Sequence, residues 1–112
     1  MEKLNLLVLR CRDLECSRLF YEILGLHFVK HAHGTGPEHY SHEDSRGVIE
    51  LYPAANSQDD TAIGFAAADL LGLHASFLSA GFLPEPLQNQ PWGRTFVVRD
   101  PDQRRVEVKQ IS

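Results

Sequence analysis

The sequence predicts an α+β domain built from two β-α-β-β-β modules in tandem, and three observations carry that prediction. An aspartate, a helical apolar stripe and a glycine recur at equal spacing, as Asp13 to Gly25 and again as Asp69 to Gly81. A short apolar run stands before each of these segments, and turn-rich sequence follows each one. The halves end on matching strand-like stretches, G-V-I-E-L-Y-P and R-R-V-E-V-K-Q, in which Glu50 answers Glu107. The offset is 56 residues at the helices and 57 at these last strands, so a one-residue length difference reconciles the halves. A module with one helix covers only one face of its sheet, which is why such a unit comes repeated.

In chain order, Leu4 to Cys11 form an apolar strand, and Asp13 stands where a helix N-cap accepts from the first free backbone N–H groups. Cys16, Leu19, Phe20, Ile23 and Leu24 recur at helical spacing, predicting a helix over about residues 14–24 that Gly25 ends. Leu26 and Phe28 begin a second strand, and Gly34-Thr35-Gly36-Pro37 turns it into a third. The first module closes on the strand holding Glu50, at about residue 53, and the polar stretch 53–61 links it to the second. There the order repeats: a strand from Ala62, the cap Asp69, a face of Leu70, Leu73, Phe77 and Leu78, then Gly81 and a strand beginning at Phe82 and Leu83. Asp100-Pro101-Asp102-Gln103 is a tight turn joining the last two strands. The modules span about residues 4–53 and 61–112 of a single domain, 1–112.

The totals limit the function. The chain has 112 residues, 43% of them hydrophobic, enough for one core. A net charge of −4 gives no broad basic surface to neutralise phosphates, which argues against nucleic acid. The N-terminal apolar run from Leu4 to Leu9 is short of a signal peptide or a membrane span, so a soluble cytoplasmic protein without a membrane partner is expected. Cys11 and Cys16 have no second cysteine pair with which to build a zinc cluster and read as small apolar side chains.

The stretches D-L-E-C-S-R-L-F-Y-E-I-L-G-L, V-I-E-L and W-G-R-T-F-V-V-R-D-P-D-Q-R-R-V-E-V resemble the vicinal oxygen chelate superfamily of glyoxalase I, bleomycin-resistance proteins and extradiol dioxygenases. The resemblance spans essentially the whole chain. It implies an open, cupped mixed sheet with helices on the outer face, a ligand cavity in the cup, and a homodimer. Enzymes of that family hold a divalent metal with one residue from the first strand and one from the last strand of each module. On this sequence the resemblance assigns the two carboxylate positions to Glu50 and Glu107. The matching first-strand positions, where the family has histidine, fall on Leu6 (Asn5 with a one-residue slip) and on Ile63 (Ala62 with a slip), and none is an imidazole.

Half of the expected ligands are therefore missing. The reading that follows is a small-molecule-binding member of the superfamily, similar to the bleomycin-resistance branch, with no cofactor and with Glu50 and Glu107 as ligand anchors or a general base. Arg10, His39, Tyr52, Phe65, Trp92 and Phe96 are the candidate ligand contacts. The alternative is a divalent-metal-dependent glyoxalase-like lyase, isomerase or dioxygenase. In it Glu50 and Glu107 act as catalytic ligands with non-standard partners, such as Asn5 or a histidine of the segment holding His31, His33, His39 and His42. On a strand, His31 and His33 share a face while His39 and His42 oppose one another, so at most three of the four converge.

Overall fold

A computed structural model describes residues 1–56 and 59–111. The chain divides into two compact units, residues 1–57 and 58–112, each with one open four-stranded mixed sheet and one helix. The predicted linker includes Ser57 and Gln58, which lie outside the described residues.

In the first unit, β1 (Leu6–Cys11) runs parallel to β4 (Gly47–Pro53), which pairs antiparallel with β3 (His39–Asp44), and β3 pairs with the short β2 (Val29–His31). Strand alternation sorts the side chains. Leu9, Cys11 and Leu51 are buried on the face covered by α1 (Leu14–Ile23), while Leu6, Val8 and Arg10 share the other face with Val48, Glu50 and Tyr52. Asp13 caps α1 by accepting from the Cys16 backbone N–H at 3.0 Å. Gly25, at φ 94°, ends the helix in the left-handed region that suits glycine.

The buried stripe of α1 differs from the expected one. Ser17, Phe20 and Tyr21 face the core, whereas Leu19 is 52% exposed and Cys16 only half-buried. Counting apolar letters misplaced the stripe because tyrosine buries its ring like a hydrophobe, and serine is small enough to lie under a helix.

The second unit repeats the plan with β5 (Ala62–Ala67), α2 (Leu70–Ser79), β6 (Gln88–Gln90), β7 (Gly93–Arg99) and β8 (Arg105–Gln110). Its sheet order, β5-β8-β7-β6, matches β1-β4-β3-β2. Asp69 caps α2 through the Gly72 N–H at 2.9 Å. Leu70 and Phe77 are buried on the helix as expected, but Leu78 is exposed.

Two expectations about strand starts fail. In the first unit β2 begins at Val29 rather than Leu26, with Phe28 buried just before it. The Phe82–Leu83 strand is displaced further, to Gln88, because Pro84 and Pro86 remove alternate N–H donors from the intervening stretch. That stretch is tied down instead by Glu85, whose N–H donates to the Val97 carbonyl at 2.8 Å and whose carbonyl accepts from the His74 ring at 2.9 Å.

The Asp100–Gln103 turn forms as expected, with the Gln103 N–H donating to the Asp100 carbonyl at 2.9 Å. Around it lies a buried ionic cluster. Arg104, 1% exposed, reaches Asp100 at 3.1 Å, Asp102 at 3.7 Å and Asp59 at 3.2 Å. Thr61 donates to Asp59 through its hydroxyl and its N–H, which with Arg104 holds the Asp59 carboxyl below its ordinary pKa.

Candidate functional site

The first unit gathers its chemistry on the Glu50 face. The Asp44–Gly47 turn sets the register of β3 against β4, pairing Ser41 with Glu50 and bringing His39 beside Tyr52. Ser41 Oγ donates to Glu50 at 2.9 Å, and His39 Nε2 lies 3.7 Å from the same carboxylate oxygen. His39 is almost wholly buried, and its ring stacks on Tyr52 at 4.2 Å between centroids and 9° between planes. The Arg10 guanidinium lies over the Tyr52 ring, 5.1 Å from its centroid. Register brings the two together, because Arg10 pairs with Tyr52 while Val8 pairs with Glu50.

Of the four histidines in the 31–42 segment, three converge. His31, His33 and His39 have ring centroids 5.4 to 5.8 Å apart. On the opposite face His42 accepts from the His27 backbone N–H at 2.9 Å and lies 3.0 Å from Asp44. Arg46 and then His42 hold the Asp44 carboxyl far below its ordinary pKa. Tyr40 also points to the helix side, where its hydroxyl donates to Glu15 and, with Arg18, lowers that carboxyl's pKa.

The second unit has a concavity of about 190 Å³ on the equivalent face. Glu107, Arg105, Trp92, Thr95, Val97 and Gln88 contribute to its lining. Val97 pairs with Glu107 where Ser41 pairs with Glu50, so this carboxylate has no hydroxyl opposite. Arg105 approaches Glu107 at 3.9 Å. Trp92, 56% exposed, stands at the mouth as an apolar wall.

Two of the candidate ligand contacts occupy strand positions on the far side of the sheet from Glu107. Phe65 pairs with Val108, and so does Phe96, which puts both on the α2 side of the sheet; the Phe96 ring packs 6.0 Å from Phe77 and 5.2 Å from His74. Phe96 borders the concavity, yet its ring belongs to the core. The counterpart of Leu6 also needs correction. Leu6 pairs with Val48 and Ala62 with Arg105, so the Glu107 face of β5 carries Ala62, Gly64 and Ala66, while Ile63 pairs with the buried Val106. Asn5 precedes β1 and is engaged through its carbonyl, which accepts from the Val48 N–H at 2.8 Å.

A divalent metal does not fit these residues. On β1 the side chains on the Glu50 face are Leu6, Val8 and Arg10, and on β5 those on the Glu107 face are Ala62, Gly64 and Ala66, so neither first strand offers a donor of the required kind. Among the described residues, no three His, Cys, Asp or Glu side chains are grouped so as to hold a metal ion.

The chain belongs to the Glyoxalase/Bleomycin resistance protein/Dioxygenase superfamily, whose family model matches residues 3–108. It is similar in structure to a bleomycin-binding protein solved with bleomycin, at 18% identity and a TM-score of 0.72, with 100% of each chain covered. TnmS3, an antibiotic binding protein from a Streptomyces species, gives 19% identity and a TM-score of 0.76, covering 100% of this chain and 98% of its own. Lactoylglutathione lyase from Agrobacterium tumefaciens gives 20% identity and a TM-score of 0.72, covering 98% of this chain and 94% of its own. These likenesses establish the fold. No curated protein matches the sequence.

Proposed function

We propose that this protein binds small organic molecules on the strand face of a unit, the one carrying Glu50 or the one carrying Glu107, and does so without the divalent metal of the family's enzymes. The observation that carries this reading is the composition of the first-strand faces: Leu6, Val8 and Arg10 in one module and Ala62, Gly64 and Ala66 in the other. Those side chains offer a ligand contact and space, and they offer a metal nothing. Glu50 in the first unit and Glu107 in the second are each a hydrogen-bond acceptor on their own unit's face. In the second unit Trp92 and Val97 supply apolar surface beside Glu107. The volume of about 190 Å³ falls below the roughly 300 Å³ at which pockets start to enclose a drug-sized molecule, so one ring-sized group of a larger ligand is what enters. Structural likeness to bleomycin- and antibiotic-binding proteins supports sequestration as the outcome of binding.

Trp92 is the sole tryptophan, so its fluorescence reports this concavity directly. Titration with metal-free bleomycin and a set of polycyclic aromatic antibiotics is expected to give a saturable change with at least one of them, weakened about tenfold by Glu107→Gln. A flat response across the whole set contradicts the reading.

A further inference from the structure

Strand register sets polar side chains in rows across the concavity of the second unit. Gln88 and Gln90 on β6, Thr95 on β7, and Arg105 and Glu107 on β8 all line it, and Gln88 pairs with Thr95. Gln90 Nε2 donates to Gln88 Oε1 at 2.9 Å, which holds the two amides together. That pair presents the Gln88 amide nitrogen as a donor beside the Gln90 amide oxygen as an acceptor. Arg105 and Glu107, 3.9 Å apart, repeat the arrangement with a guanidinium donor beside a carboxylate acceptor. Thr95 stands on the strand between these rows, and its hydroxyl has both capacities. Trp92, in the connection from β6 to β7, exposes an apolar surface at the mouth.

This alternation of donors and acceptors decides which ring enters. A plain aromatic ring would cover these groups without pairing with them, and a polar group stripped of water and left unpaired costs free energy. A singly charged ligand fares little better, because a cation is repelled by Arg105 and an anion by Glu107, 3.9 Å away. A saturated ring bearing neighbouring hydroxyls meets both, since each hydroxyl donates and accepts. One hydroxyl accepts from the Gln88 amide while its neighbour donates to the Gln90 amide, and the same pairing suits Arg105 with Glu107. The C–H face of such a ring is the apolar surface that a tryptophan side chain covers.

We infer that the concavity of the second unit is a carbohydrate site that takes one pyranose ring, alone or as the sugar of a larger molecule. Its volume of about 190 Å³ suits a single ring. This inference rests on the small-molecule reading above and deepens it by naming the class of group that enters.

The test titrates the whole chain with the methyl glycosides of glucose, galactose and mannose, followed by Trp92 fluorescence and by backbone-amide NMR shifts. Cyclohexanol and phenol are the comparison rings, and because Glu85 also borders the concavity, cyclohexylamine is the cationic rival. At least one glycoside should saturate with a Kd on the order of 1 mM, moving the amides of residues 88, 90, 95 and 107. The three comparison rings should bind at least about tenfold more weakly. Gln88→Leu should weaken the glycoside about tenfold and Trp92→Ala, read by NMR, several-fold; both positions are exposed, so both variants are expected to fold. Silence of all three glycosides, an equal response to any comparison ring, shifts confined to residues 1–56, or binding that neither variant weakens overturns the inference. An antibiotic that saturates Trp92 while the glycosides are silent defeats only the sugar site. Glycosides that saturate while every antibiotic is flat support the sugar site and defeat only the antibiotic reading.

Discussion

Glu50 and Ser41 show how a single position acquires its chemistry. The glutamate was legible in the sequence because it recurs as Glu107 in a repeated strand, but its partners Ser41 and His39 were not, since they come from a neighbouring strand. The signal that would have found them is the Asp44–Gly47 turn: counting outward from it pairs Ser41 with Glu50 and sets His39 against Tyr52. Arg104 was missed for a different reason, because arginine in a polar turn reads as solvated by default. It is instead buried among Asp100, Asp102 and Asp59. Arg104→Met removes the guanidinium that Asp100, Asp102 and Asp59 share, so a loss of about 3–5 kcal/mol in urea unfolding is expected. A loss below about 1 kcal/mol would show that water replaces the guanidinium freely.

At the scale of elements, the repeated helix grammar was the most legible feature. Asp13 and Asp69 both cap, with acceptor distances of 3.0 and 2.9 Å, and Gly25 and Gly81 both take positive φ just after their helices. Local hydrogen bonding alone dictates these positions, so the sequence suffices. Replacing either aspartate with alanine should cost about 1 kcal/mol, and the two costs should be equal within about 0.5 kcal/mol, as measured by chemical denaturation. The strand beginning at Phe82 and Leu83 was misread because apolar content was weighed above the missing donors of Pro84 and Pro86. The side of the sheet taken by Phe65 and Phe96 was not legible for want of register: each pairs with Val108, and that pairing depends on the partner strand rather than on either residue's own neighbours.

For the molecule as a whole, one repeated sheet plan carries two different strand faces. The first is lined with imidazoles and an arginine over a tyrosine, the second with glutamines, a threonine and a tryptophan, and in both the residues beside the carboxylate on the first strand are unsuited to a metal. The family was readable because its signature lies in the helices, turns and paired glutamates. The candidate site was not, because its residues are spread over several strands and come together only through pairing. Thermal unfolding of the whole chain with nickel, manganese, zinc or iron, and separately with an organic ligand identified by the Trp92 titration, tests the central claim most directly. The metals should leave the midpoint unmoved, while the organic ligand at about a hundred times its Kd should add about 2.7 kcal/mol, a rise on the order of ten degrees. A rise with a metal that disappears in the Glu50→Gln, Glu107→Gln double variant would contradict the account.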